Sequence, residues 1–156
     1  MLNYPKVSVI IPSYNRFNFL LDAIESVRIQ NYPSFEIIVI NDGSTQKEYY
    51  EYNFSDDVIV INLEQNQKEI HGFGPGSIRN FGTKEASGDY LAFLDDDDIW
   101  LENKLNKQLG EMLKKDYLLS STEGYYGEGR YNPEKKYPLY NHCLLYTSDA
   151  ADDLRG

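Results

Sequence analysis

The sequence predicts an α/β fold with a mostly parallel sheet, and two observations support this prediction. Four short apolar runs are rich in Val, Ile and Leu, which is typical of strands buried on both faces. Segments with helical periodicity alternate with these runs, and such alternation implies right-handed crossovers and parallel pairing. The predicted strands are residues 7–12, 35–40, 58–63 and 90–94.

Helical periodicity is clearest in residues 17–30, where apolar side chains recur every three or four positions and form one buried stripe. Further helices are predicted for residues 47–52, which are rich in Tyr and acids, and for residues 78–86. Residues 101–115 predict an amphipathic helix. Its inward face is predicted to carry Leu101, Leu105, Leu109, Met112 and Leu113.

Between these elements the sequence predicts turns and loops. Gly43 follows the second strand and permits the positive φ that a tight turn needs. Residues 64–77 are polar and rich in glycine, which predicts a loop. A fifth strand is predicted for residues 117–121, and loops for residues 122–142, where Tyr, Gly and Pro follow no clear period.

Length and charge limit the possible functions. The chain has 156 residues, which fits one domain of roughly 100 to 200 residues. Its formal charge of −10 argues against nucleic acid as a partner, since phosphate backbones are bound by clusters of Lys and Arg. No apolar run approaches the roughly 20 residues of a membrane span, and the N-terminus lacks a signal peptide's apolar segment. We expect a cytoplasmic protein, with peripheral membrane association left open.

Three polar segments follow the predicted strands directly: residues 12–16, 41–45 and 95–98. Because the carboxyl ends of parallel strands lie at one edge of the sheet, these segments are expected to converge there. Ligands of open α/β sheets bind at that edge. This convergence predicts a nucleotide site.

The third segment is unusual because an apolar strand runs into four consecutive aspartates, Asp95 to Asp98. Mg²⁺ and Mn²⁺ take carboxylate oxygens and keep open positions for substrate phosphates. The cluster therefore indicates a phosphate held through a metal. The alternative is a solvated acidic loop that caps the following helix.

The blocks at residues 7–16, 36–45, 76–82 and 88–98 occur in an order that resembles the nucleotide-binding half of a family 2 glycosyltransferase. This resemblance implies a GT-A fold, a Rossmann-like three-layer sandwich. It also implies inverting transfer from a nucleotide-diphosphate sugar, commonly UDP-linked, to a saccharide or lipid-linked acceptor in cell-surface polysaccharide synthesis. The implied cofactor is Mn²⁺ or Mg²⁺.

The resemblance also implies roles for the acidic cluster. Asp97 would bind the metal that bridges the donor diphosphate, and Asp95 would face the ribose or the metal's water shell. Asp96 stands where small residues also occur in the family, so a shifted assignment stays open. Asp98 is expected either to support the metal ligands or to cap the helix.

Other blocks are implied to contact the nucleoside. Asp42 would accept a hydrogen bond from the base, the alternative being an ordinary Asx turn. The backbone of Pro12, Ser13 and Arg16 would contact the nucleoside and the ring of Tyr14 would stack on it. The alternative for this segment is that Asn15 simply caps the following helix, and the two interpretations are compatible. Arg79 would contact base or diphosphate; alternatively it is a surface arginine.

Inverting transfer also needs a general base, which the family carries well beyond the acidic cluster. No residue before His142 matches it, and neither Glu123 nor Glu128 merits that role.

Residues 143–156 resemble a translated sequencing adapter and contain the single cysteine. The alternative is a genuine polar tail. We therefore expect a C-terminally truncated domain over residues 1–142. The alternative functions are a non-catalytic nucleotide-binding module and, less favoured, a nucleotidyltransferase.

Overall fold

The structure, a computed structural model, describes residues 4–72 and 75–140. It forms two compact units, one ending at Lys107 and the other beginning at Gln108. The strands of the first unit are β1 (Val7–Ser13), β2 (Phe35–Asn41), β3 (Val58–Asn62) and β4 (Tyr90–Phe93). Its helices are α1 (Phe17–Arg28), α2 (Glu48–Glu51), α3 (Gln67–His71) and α4 (Pro75–Glu85).

Helix α5 (Lys104–Lys115) crosses the boundary between the units, and the second unit also contains the short strands β5 (Gly124–Tyr125) and β6 (Leu139–Tyr140). These two strands pair antiparallel. None of the helices in residues 4–72 and 75–140 is long and apolar enough to cross a membrane. The predictions for residues 143–156 fall outside the described residues.

The sheet of the first unit has four strands in the order β3-β2-β1-β4, and every neighbouring pair is parallel. The predicted α/β class and parallel sheet are therefore confirmed. The chain passes from β1 to β2 through α1. After β3 it returns through α4 to the other side of β1, where it forms β4. Right-handed crossovers in opposite directions place α1 and α4 on opposite faces of the sheet, which gives three layers. The order of strands reverses beside β1, where such folds bind ligands.

The core under α4 is built from fully buried β-branched side chains of the two central strands. Ile10, Ile38 and Ile40 have no exposed surface and pack with Ile78 of α4. Each such side chain stabilises the fold by about 1.5–3 kcal/mol through burial. The helix can come this close because Gly82 faces Ile10 and Ile40, where a Cβ would lie within 2.8 Å of both.

Residues 64–77 are not the loop that their glycines predicted. They contain α3 and the start of α4. The Asn66 side chain caps α3 by accepting hydrogen bonds from the backbone N–H groups of Lys68 and Glu69. Gly72 ends the helix with φ 66°. Capping groups at both ends therefore outweigh the local glycine content.

Residues 117–121 are not a strand, and the prediction there is wrong. Leu118 and Leu119 are 97% and 86% exposed, so this apolar segment lacks the paired neighbours that a strand needs. The helix before it starts at Lys104 instead of residue 101, and Leu101 and Leu113 are about half exposed instead of inward. Leu105 and Leu109 are buried, as predicted.

Candidate functional site

A cleft of about 310 Å³ opens at the carboxyl edge of the sheet, where the loops after β1, β2 and β4 meet. Eight of the nine predicted site residues line it, together with Ile78 of α4. The ninth, Arg79, forms an ion pair with Asp95. The eight are Pro12, Ser13, Tyr14, Arg16, Asp42, Asp95, Asp96 and Asp97.

Two arginines form ion pairs with the three aspartates of residues 95–97. Arg16 Nη1 lies 2.5 Å from Asp97 Oδ2 and 3.4 Å from Asp96 Oδ1. The Asp97 charge, followed by that of Asp96, raises the pKa of Arg16 although burial opposes this. Arg79 Nη2 donates to Asp95 Oδ1, and its Nε is buried with no hydrogen-bond partner among the described residues. Arg79 is therefore part of the acidic cluster and not a free surface residue.

Asp96 is the buried member of the cluster, 6% exposed. Burial raises the pKa of this carboxyl, while hydrogen bonds from Ser13 and Tyr14 and the Arg16 charge oppose the rise. Ser13 Oγ donates to Asp96 Oδ2 over 2.7 Å. Asp96 is thus held by the loop after β1.

Tyr49 of α2 completes this network, although the sequence did not identify it. Its hydroxyl bonds Ser13 Oγ and accepts the Arg16 backbone N–H over 3.0 Å. Because an ionised Asp96 can only accept, the Ser13 proton points to Asp96 and the Tyr49 proton points to Ser13. The Tyr-rich pattern of the acidic helix does not distinguish this buried tyrosine from its exposed neighbours.

Asp42 is 2% exposed and is oriented by α3. Its Oδ1 accepts the Gln67 backbone N–H over 2.9 Å, and its Oδ2 accepts Asn66 Nδ2 over 2.9 Å. Burial raises the pKa of Asp42 and the Gln67 N–H opposes the rise. The Asp42 carboxylate therefore bonds to residues 66 and 67 instead of forming the Asx turn that was the alternative, while Asn41 Oδ1 accepts the Ser44 backbone N–H, three residues on, over 3.0 Å.

Asn15 does not cap α1, so that prediction is wrong. The N-cap is Arg16, without a side-chain capping bond, and the Phe17 N–H donates to Gln46 Oε1 over 3.0 Å. Asn15 has φ 53°, a left-handed conformation that asparagine tolerates better than most residues. Its Oδ1 accepts the backbone N–H groups of Thr45 and Gln46, which joins the loops after β1 and β2.

Asp98 does not cap a helix either, because α5 begins six residues later at Lys104. Its backbone N–H donates to the Asp95 carbonyl over 3.1 Å, which turns the chain after the acidic cluster. Asp97 remains about half exposed at the cleft. Within residues 4–72 and 75–140, no group of three Asp, Glu, His or Cys side chains is arranged so that it could bind a metal ion.

The family model described as Glycosyl transferase family 2 matches residues 8–150. The chain belongs to glycosyltransferase family 2. A Rickettsia bellii protein named as an uncharacterized glycosyltransferase is 44% identical over 124 residues, which are 78% of this chain and 17% of that protein. Escherichia coli WfgD, named as a UDP-Glc:alpha-D-GlcNAc-diphosphoundecaprenol beta-1,3-glucosyltransferase, is 39% identical over 109 residues, 69% of this chain and 41% of WfgD.

Among solved structures, Staphylococcus aureus TarS 1–349 in complex with UDP-GlcNAc is similar, with a TM-score of 0.56 and 30% identity. The likeness covers 70% of this chain and 31% of that chain. It confirms the GT-A architecture for this family 2 glycosyltransferase. The chain spans between 17% and 52% of the lengths of its curated relatives.

Proposed function

We propose that the cleft binds a nucleotide-diphosphate sugar, with UDP as the nucleotide. The whole protein then transfers the sugar, with inversion, to a saccharide or lipid-linked acceptor in cell-surface polysaccharide synthesis. One observation carries the proposal: the buried acceptor Asp42 lines the same cleft as Asp95, Asp96 and Asp97, the three aspartates that form ion pairs with arginines. This combination suits a ligand with a polar base at one end and a diphosphate at the other. The names of WfgD and the TarS complex support a uridine nucleotide.

In this proposal Asp42 accepts a hydrogen bond from the base, and the loop of residues 12–16 contacts the nucleoside, with Tyr14 at the rim as a stacking ring. Tyr14 is 38% exposed, which leaves one face available. Arg79 lies behind Asp95 and adds positive charge at the diphosphate end. The ion pair of Arg79 with Asp95 keeps this charge beside a carboxylate that lines the cleft.

The donor set at this end fits a hard divalent cation, Mg²⁺ or Mn²⁺, because it consists of carboxylates alone. Asp97 is the proposed ligand because the family resemblance assigns it this role and because its side chain, 47% exposed, is accessible at the cleft. Such a cation stabilises negative charge on the leaving diphosphate as a Lewis acid. Arg16 holds Asp97 at 2.5 Å, so Arg16 must release or share this carboxylate when a cation binds there.

The general base is assigned to no residue of the described chain. Asp95, Asp96 and Asp97 are each paired with an arginine, and Asp42 is held by α3. Glu123 and Glu128 are exposed residues of the second unit. We propose that the acceptor side of the full protein supplies the base, and that this chain alone binds donor but transfers sugar poorly. Robust transfer by this chain alone would contradict that proposal.

The second candidate function is a non-catalytic nucleotide-binding module. It is retained because this chain spans only 17% to 52% of the lengths of the relatives compared above. Both candidates share the donor site. They differ in whether any carboxylate takes the acceptor proton. For the enzyme, we propose a cytoplasmic location at the inner face of a membrane, in line with the diphosphoundecaprenol-linked acceptor in the WfgD name.

Calorimetric titration of UDP into the full chain tests the proposed site. With Mn²⁺ we expect binding that weakens at least about tenfold when the metal is chelated, or when Asp97→Asn removes the charged ligand. Asp56→Asn is the matched control, because Asp56 is an exposed acid outside the cleft. Equal UDP affinity with and without metal would contradict the metal-held diphosphate. Absence of UDP binding would contradict the proposed function.

A further inference from the structure

We propose that Asn66 is a specificity-determining residue of the donor site, which holds Asp42 as a hydrogen-bond acceptor and thereby selects uracil over cytosine. The inference rests on the proposed function, since it requires Asp42 to face the base. Uracil presents an N–H donor at ring position 3, whereas cytosine presents an acceptor at the same position. A carboxylate fixed as an acceptor distinguishes the two.

The orientation of the Asn66 amide follows from its contacts. Its oxygen accepts two backbone N–H groups, those of Lys68 and Glu69, at 3.1 and 3.2 Å. An amide nitrogen cannot accept these bonds, so the oxygen must face α3 and the nitrogen must face Asp42. Nδ2 donates to Asp42 Oδ2 over 2.9 Å and to the Asp42 carbonyl over 3.3 Å.

Asp42 is therefore held on both oxygens from one short segment. The Gln67 backbone N–H binds Oδ1 and the Asn66 amide binds Oδ2. Each carboxylate oxygen has a second lone pair, which leaves acceptor capacity for a base. Asp42 lines the cleft, so that capacity is available to a ligand.

Burial gives these bonds their importance. Asn66 and Asp42 are 8% and 2% exposed. A buried carboxyl without donors favours its neutral form, and burial already raises the pKa of Asp42. A neutral Asp42 can donate to cytosine, whereas an ionised Asp42 cannot. Loss of the Asn66 donor therefore weakens the preference itself, beyond any loosening of α3.

The segment that carries Asn66 is packed against the turn that carries Asp42. A Cβ on Gly43 would lie 2.6 Å from the Gln65 carbonyl carbon and 2.7 Å from the Asn66 nitrogen. Gly43 has φ 68°, so glycine satisfies both the turn and this close approach. The contact fixes the distance between Asn66 and Asp42 through backbone atoms.

The test compares UDP and CDP affinities, in Mn²⁺, for the unchanged chain and for Asn66→Ser. Serine still caps α3 by accepting an N–H, but its shorter side chain does not reach Asp42. We expect the unchanged chain to prefer UDP by about a hundredfold, which is near the upper end of the cost of leaving one buried polar group without its hydrogen bond. We expect Asn66→Ser to reduce that ratio about tenfold, mainly by weakening UDP.

Gly72→Ala is the structural control. Gly72 ends α3 in the left-handed conformation, and no described residue lies within 4 Å of an added Cβ, so alanine strains the helix without touching Asp42. It should weaken both nucleotides by the same factor. Asn66→Asp is a second variant, which keeps the cap, removes the donor and should reduce the ratio in the same way.

An unchanged UDP:CDP ratio in Asn66→Ser and Asn66→Asp would overturn this inference while the donor site stands. Binding of neither nucleotide by the unchanged chain would overturn the proposed function and the inference with it.

Discussion

Replacing Gly82 by alanine tests how closely α4 must approach the sheet to place Arg79 at the cleft. A Cβ at this position would lie 2.7 Å from Ile10 Cγ2 and 2.8 Å from Ile40 Cδ1. Carbon atoms pack best about 3.5–4.0 Å apart, so the helix or the isoleucines must move by about 1 Å. Neither isoleucine has any exposed surface, so neither can turn into solvent.

Two opposing effects set the size of the change. Alanine is favoured over glycine inside a helix by about 1 kcal/mol. Overpacking a filled core costs about 1–3 kcal/mol, and two short contacts to fully buried side chains place this case in the upper part of that range. We therefore expect Gly82→Ala to lower the free energy of unfolding by about 1–2 kcal/mol. Because Arg79 lies on the same helix, UDP affinity should fall as well.

Urea unfolding followed by circular dichroism measures the effect. Gly110→Ala in α5 is the control, because no atom of residues 4–72 and 75–140 lies within 4 Å of the added Cβ. It should raise stability by up to about 1 kcal/mol. Ile40→Val removes the clashing Cδ1, so it should cost less in the Gly82→Ala background than alone. A Gly82→Ala chain at least as stable as the unchanged one would refute the close-packing argument.

Three further predictions concern charge and hydrogen bonding. Burial would raise the pKa of Glu36, but hydrogen bonds from Lys6 and its serine neighbours lower it to about 2. At pH values above its unfolded pKa, this carboxylate therefore stabilises the fold by up to about 3 kcal/mol, and that stability is lost as pH falls towards 2. In urea unfolding, the difference in stability between the unchanged chain and Glu36→Gln should shrink from pH 7 to pH 3. A constant difference would contradict the assignment. In the absence of nucleotide, Arg16→Gln should strengthen Mn²⁺ binding by about two- to fivefold, because the variant removes a half-exposed ion pair to Asp97. Weaker Mn²⁺ binding in calorimetry would count against Asp97 as the ligand. Tyr49→Phe should weaken metal-dependent UDP binding by about fivefold, the equivalent of one hydrogen bond. Tyr52→Phe, a change in the same aromatic cluster, should leave UDP binding unchanged. Equal effects of the two variants would place Tyr49 outside the site.

The strands and the site edge could be predicted because they depend on patterns within short segments. β1 and β2 are mostly apolar runs of seven residues whose side chains are almost all buried, and their short length and β-branched residues favour a strand over a buried helix. Parallel pairing then brings the residues after each strand together. The polar segments after β1, β2 and β4 therefore meet at the cleft, as the sequence indicated.

The misplaced elements depend on contacts between distant residues. Asn66 gives α3 its cap and also binds Asp42, 24 positions earlier. Tyr49 reaches Ser13 across 36 positions. Neither long-range partner is visible in local periodicity, so the sequence does not identify Asn66 or Tyr49 as a site residue. Helix α3 itself depends on its two local caps, which glycine content alone does not indicate. The apolar residues 117–121 show the converse, because β propensity alone does not supply a pairing partner.

Paramagnetic broadening of the amide NMR signals tests whether a metal-held nucleotide lies at the carboxyl edge of the sheet, because the broadening locates the metal and its dependence on UDP links the metal to the nucleotide. The signals of the full chain with UDP are compared in Mn²⁺ and in diamagnetic Mg²⁺. We predict that Mn²⁺ broadens residues 13–16, 42–44 and 95–98, while residues 30–32, at the groove lined by Tyr4 and Asn106, stay sharp. Broadening centred on that groove, or none that depends on UDP, would contradict a metal-held nucleotide at the carboxyl edge of the sheet.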